Sequence, residues 1–227
     1  MIVAAAVCPH PPLLFRELTG LEDVAADLRG ACLEAIAALR GVDVIVLVGG
    51  ARAAGSWGSD ERFDVTKFGR TQARPSERSD LPLSLGIGAR LLDEAGWTGP
   101  RELIAVARDA SAADLGVVAS GLAARPERVG LLVMGEGSTR RGQSAPGYID
   151  SRAPVFDRRI GAALRQGDAA VLRDLDVELA DELMVLGRSS FQLLGHAAPD
   201  GAAATVLYEK DPFGVMYFVA VWQLGCP

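Results

Sequence analysis

At 227 residues, with 49% apolar and 23% charged side chains, the chain is long enough for one large domain and globular in composition. A net charge of −6 argues against a nucleic-acid or anionic-membrane partner. His10 and His196 are the only histidines, and Cys8, Cys32 and Cys226 the only cysteines, which excludes an all-histidine metal site and a four-cysteine zinc site.

Three cysteines without a framework spacing read as reduced thiols, and no apolar run approaches the roughly 20 residues of a membrane span. Met1–Cys8 is apolar but lacks a basic leader and ends at Pro9, too short for a signal peptide. A cytoplasmic protein is expected, with residues 1–227 forming a single domain. Lys67 and Lys210 are the only lysines, so arginine supplies nearly all the basic charge.

Ile2–Val7 is a short apolar run that predicts a buried strand, ended by the proline-rich Cys8-Pro9-His10-Pro11-Pro12. Thr19 and Glu22 have capping-box spacing, and Val24, Leu28, Cys32, Ile36 and Leu39 give the following helix one apolar face. Gly41 ends it, and Val42–Val48 predicts the next strand, completing a βαβ unit of a parallel sheet. Gly49 to Pro82 is polar and Gly-containing, with scattered Trp57, Phe63 and Phe68. Ala51–Pro82 is expected to be the least regular part of the fold.

Alternation then resumes. Helices are predicted near Leu85–Ala95 and Ala112–Ala124, and strands near Glu102–Ala107 and Val129–Met134. Gly135–Ala153 is irregular, followed by helices at Val155–Gln166 and Val177–Leu194 and by strands near Ala203–Glu209 and Val215–Leu224. The last strand is apolar on both faces, as expected of a central one. The fold class is α/β: one domain, a mostly parallel, mixed central sheet and helices on both faces. Ligands of such sheets bind beyond the carboxyl ends of the strands, here the loops beginning at Cys8, Gly49 and Gly135.

Val7-Cys8-Pro9-His10-Pro11-Pro12-Leu13-Leu14 after a first strand resembles the start of the class III extradiol dioxygenases. These are B-subunit-type ring-cleavage enzymes, to which the Memo-like proteins are distantly related. Gly135-Glu136-Gly137-Ser138-Thr139-Arg140 is similar to the family's G-D-x-S-H-R loop. Phe156-Asp157, Gln166-Gly167-Asp168, Leu175-Asp176, Ala180–Leu194 and Phe213–Tyr217 follow the family's later motifs in order. The resemblance implies that fold, and an oxidoreductase chemistry needing Fe(II) held by two histidines and one carboxylate, with a further histidine as acid–base group.

Carried over residue by residue, His10 matches the first iron ligand. The second histidine should follow the second strand, where the chain reads Gly49-Gly50-Ala51-Arg52; the acid–base histidine is Thr139; and the carboxylate should fall near the apolar Val185 or Leu186. The resemblance therefore implies the fold with a degenerate metal site. It leaves two readings: an atypical member that binds a small molecule or partner, or a divergent metal-dependent ring-cleavage oxidoreductase acting on a catechol-like aromatic through a rearranged site at His10. No cofactor is expected in the first, and Fe(II) in the second.

His10, Glu136 and Thr139 are the candidate catalytic positions, with His10 the one metal position. Arg52, Ser138 and Arg140 are the candidate ligand-binding positions, for a small aromatic or anionic molecule. Each has a plainer reading. His10 can fix its proline-rich turn, Glu136 can pair with Arg140 or Arg141, and arginines are ordinarily solvated. Cys8 is a metal partner for His10 or a buried thiol. His196 fits a helix C-terminus, and Trp57, Phe63 and Phe68 form either a lid or their own packing.

Overall fold

The computed structural model describes residues 1–19, 21–59, 61, 63, 68, 81–143 and 145–225. Seven strands form one sheet in the order β3-β4-β2-β5-β1-β7-β6. They are β1 (Ile2–Cys8), β2 (Val44–Ala51), β3 (Gly55–Trp57), β4 (Arg101–Ala107), β5 (Val129–Met134), β6 (Ala203–Lys210) and β7 (Tyr217–Gln223). The four strands β4, β2, β5 and β1 run parallel, while β7 pairs antiparallel with β1, β6 with β7 and β3 with β4. The expected single α/β domain with a mixed, centrally parallel sheet is therefore present.

Alternating side chains send the two faces of the sheet into different cores. Ala4, Ala6, Cys8, Ile45, Leu47, Leu132 and Met134 pack under α1 (Ala26–Ala37) and α2 (Leu83–Glu94). Val7, Val46, Val48, Leu131 and Val133 pack under α3 (Ala112–Ala123), α4 (Ala153–Gln166), α5 (Ala169–Arg173), α6 (Val177–Glu182) and α7 (Arg188–Ala197). Trp222 of β7 is fully buried, and its indole N–H donates to Leu164 O at 2.8 Å. Such a large aromatic needs that partner to sit inside at no polar cost.

Three local expectations are corrected. Thr19 and Glu22 form no capping box: α1 starts at Ala26 without a side-chain cap, and Arg29 instead clamps Asp23 at 2.6 and 3.0 Å. β2 runs on through Gly49 and Gly50 to Ala51, because both glycines keep pairing with β4. The polar stretch behind it begins with β3, which pairs with β4, while the rest of Ala51–Pro82 lies largely outside the described residues. The single helix expected over Val177–Leu194 is two helices, broken at Met184, whose φ is +54°. The apolar stripe continues through the break, so periodicity alone did not show it. The break lets Gly187 reach the loop after β5, where its N–H donates to Glu136 O at 3.0 Å. Asp168 and Asp176 cap α5 and α6 through Val171 N and Leu179 N, both at 3.0 Å.

Candidate functional site

At the carboxyl end of β1 the ladder to β5 continues one step, with Gly135 N donating to Cys8 O at 2.9 Å. This brings the two following loops together. His10 N donates to Glu136 Oε2 at 3.3 Å, and His10 Nδ1 lies 3.9 Å from the same oxygen, too far for a hydrogen bond. Both residues are buried, and Nδ1 has no partner. Gly137 N donates to Met216 O and Met216 N to Ser138 O, which stitches the β5 loop to the entry of β7. Burial, with the Glu136 charge nearby, pushes the Tyr217 phenol above its ordinary value.

The β5 loop is anchored from below. Ser138 N and Oγ donate to the two oxygens of Asp157 at 2.8 and 2.5 Å, both side chains being inaccessible to solvent. Burial raises the Asp157 pKa, opposed by the Ser138 bonds and by Arg141. Arg141 stands between Asp157 at 3.6 Å and Asp211 at 2.7 Å. Ser138 is thus an anchor of the loop, and Glu136 meets His10 rather than Arg140 or Arg141. Thr139 is buried, with its N–H on Leu183 O and its hydroxyl unpartnered; Arg140 Nε is also buried and unpartnered.

The cleft that contains His10 opens between the β2 end and the start of α2. It has a volume of about 380 Å³ and is lined by Arg52, Trp57, Ser84, Arg108 and Leu186 among others. Glu136, Ser138, Thr139 and Arg140 do not line it, so of the six candidate site residues only His10 and Arg52 share this cleft. Arg52 is joined instead by Arg108. Sequence reasoning missed Arg108 because the loop after β4 was not searched, although the strand-end rule applies to that strand equally. An adjoining cleft of about 470 Å³ shares Arg108 and Leu186 and carries Asp109, Glu178, Asp181 and Arg188. Burial lowers the Arg188 guanidinium from its ordinary value, which Asp109 and Asp181 oppose.

Gly50 forms the wall facing α7. A Cβ there would lie 3.1 Å from Leu186 O and 3.2 Å from Ser189 Oγ, and Gly50 O accepts from Ser84 Oγ at 3.0 Å. The Oγ atoms of Ser189 and Ser190 are buried without a partner. Cys8 points to the opposite face of the sheet. Its thiol lies 3.9 Å from Cys32 O, so it is a buried thiol and no partner for His10. His196 sits in the last turn of α7, where a basic side chain suits the helix dipole. Phe63 stacks between Phe15 and Phe68 with centroid distances of 6.0 Å, while Trp57 alone of the three aromatics lines the His10 cleft.

The Fe(II) that the resemblance implies does not fit this donor set. His10 and Glu136 supply two side chains, and the Glu136 oxygen nearest His10 is already bonded to its backbone N–H. Among the described residues no three His, Cys, Asp or Glu side chains group to hold a metal ion.

Fold and cleft together define a mixed-sheet α/β protein with a crevice at its strand ends. The structure is similar to that of an uncharacterised Escherichia coli K12 protein, JW3007, with a TM-score of 0.59 over 97% of this chain and 99% of that one, at 18% identity. No protein-family model and no curated protein matches the chain. Among the described residues no helix is long and apolar enough to cross a membrane.

Proposed function

We propose that this chain is an atypical member of the class III extradiol dioxygenase-like group that binds a small molecule at the His10 cleft without iron-dependent ring cleavage. The observation that supports this reading most is Gly50. The stretch where the family's second histidine should fall reads Gly49-Gly50-Ala51-Arg52, and Gly50 within it is packed against Leu186 O, Ser84 and Ser189. A glycine supplies no ligand atom, and the nearby hydroxyls are weak ligands for a divalent iron that prefers imidazole and carboxylate. Thr139, buried at the acid–base position, has a hydroxyl that does not ionise near neutrality. His10 remains as a buried polar residue lining the cleft, backed by the buried Glu136, and is suited to hydrogen-bonding a bound molecule.

Anaerobic loading with Fe(II), followed by metal analysis and assay with a panel of catechols under O₂, tests the reading. The expected result is substoichiometric iron and no ring-opened product. Stoichiometric iron with ring cleavage, both lost in His10→Ala, establishes the oxidoreductase reading instead.

A further inference from the structure

Building on that reading, we infer that the His10 cleft takes a small anionic ligand whose carboxylate or phosphate sits at the N-terminus of α2, between Arg52 and Arg108. Three independent features meet there. α2 is a 12-residue helix whose N-cap is Pro82, with no side-chain cap and no acidic residue in its first turn. Its leading N–H groups and the positive end of its dipole therefore lack an acceptor from a cap. Pro82, Leu83 and Ser84, the residues of that terminus, line the cleft.

The second feature is the pair of guanidiniums. Many described arginines carry a carboxylate partner, as Arg29, Arg101, Arg125, Arg141 and Arg152 do, while Arg40, Arg128, Arg140 and Arg158 share with Arg52 and Arg108 the lack of one among the described residues. Arg52 and Arg108 are exposed, line the same cleft and make no ion pair among the described residues. Such a pair of planar forks matches carboxylate or phosphate oxygens.

The third feature is His10, which lines this cleft, is 3% exposed and has a buried, unpartnered Nδ1. A buried polar atom without a partner costs free energy that a ligand can relieve. The acidic Asp109, Glu178 and Asp181 line the adjoining cleft, which shares Arg108, and among the described residues no carboxylate lines this one. Ala53, Ala54, Trp57, Leu83 and Leu186 supply an apolar wall, so an aromatic body with an anionic head fits both surfaces.

Calorimetric titration with benzoate, phenyl phosphate, inorganic phosphate and the neutral benzamide tests the inference. Benzoate or phenyl phosphate is expected to bind and benzamide not to. Binding should weaken with salt and fall about tenfold or more in Arg52→Ala and in Arg108→Ala. Ala54→Glu, at an exposed position of the cleft mouth, should abolish anion binding with an unchanged melting temperature. Comparing benzoate with phenyl phosphate identifies the anion, and inorganic phosphate alone reports whether the apolar wall contributes. Equal binding of benzamide overturns the anion inference while leaving a small-molecule site, and absence of binding by every anion overturns it outright. Iron-dependent ring cleavage, by contrast, overturns the functional reading independently of these titrations.

Discussion

Replacing Ser138 with alanine removes the 2.5 Å bond from its hydroxyl to Asp157 while leaving the backbone N–H bond at 2.8 Å. Both side chains are buried, so water does not replace the lost donor. A hydrogen bond to a charged group contributes about 1.5–3 kcal/mol, and the loss should fall in that range. For a chain of this size that is about 3–12 °C in melting temperature, at roughly 2–4 °C per kcal/mol. Burial raises the Asp157 pKa above its ordinary 3.8, so the folded state holds the proton more tightly than the unfolded state. The stability this contributes is fully present below the unfolded value and is lost as pH rises through the folded one. Ser138 lowers that folded pKa, so Ser138→Ala raises it further. The penalty therefore grows from acid toward neutral pH. Urea unfolding of both proteins at several pH values between mild acid and neutrality measures it. A penalty below about 0.5 kcal/mol, less than a typical net hydrogen bond, or one that shrinks as pH rises, would refute the anchoring role.

Two further outcomes concern the fold. Gly167 ends α4 with φ +65°, and a Cβ there would lie 2.1 Å from Ala202 O. Gly167→Ala should cost more than the 1–2 kcal/mol or so of the left-handed conformation alone, read from the urea midpoint at constant slope. Cys8 and Cys32 are buried and free, and burial together with the Cys8 contact pushes the Cys32 thiol well above its ordinary value. Neither should be alkylated by iodoacetamide at pH 8 in the native protein, and both should be alkylated in urea, as peptide mass spectrometry will show.

The sheet was legible because its signal is local. Runs such as Val44–Val48 and Val129–Met134 are too apolar for any place but a doubly covered strand, and their spacing by helices implies parallel pairing. What failed was local backbone detail inside otherwise correct segments. The Thr19–Glu22 spacing is a capping box only if a helix begins there, and the Asp23–Arg29 clamp starts it later. At Met184 the apolar stripe survives the helix break, because Leu183 and Val185 are buried on either side of it. That the loops of His10 and Glu136 meet was expected from the strand-end rule and the matched family positions, while the partner of Glu136 was not, since Arg140 and Arg141 stand close to it in sequence. Arg108 and the uncapped α2 terminus were not, since neither is a motif: each matters only once the fold places it beside Arg52.

The distance between this cleft and an iron site is greater than a count of missing ligands suggests. On alternate faces of β2, Gly49 and Gly50 are both pressed by neighbouring helices. A Cβ at Gly49 would lie 2.4 Å from Ser84 Oγ and 2.6 Å from Ser84 Cβ, and one at Gly50 would lie 3.1 Å from the backbone oxygen of Leu186. Ser84 cannot easily yield, because its hydroxyl is bonded to Gly50 O and it lies in the first turn of α2. Leu186 is held by the segment whose Gly187 is bonded to Glu136. A histidine at either glycine therefore displaces α2 or the α6–α7 connection before it can reach a metal. Close packing makes such displacement costly, by about 1–3 kcal/mol for typical overpacking and by more where backbone is struck. The same close approach brings the α2 terminus to the cleft. The paired glycines of β2 and the opening of the α2 terminus onto the cleft are thus one structural arrangement.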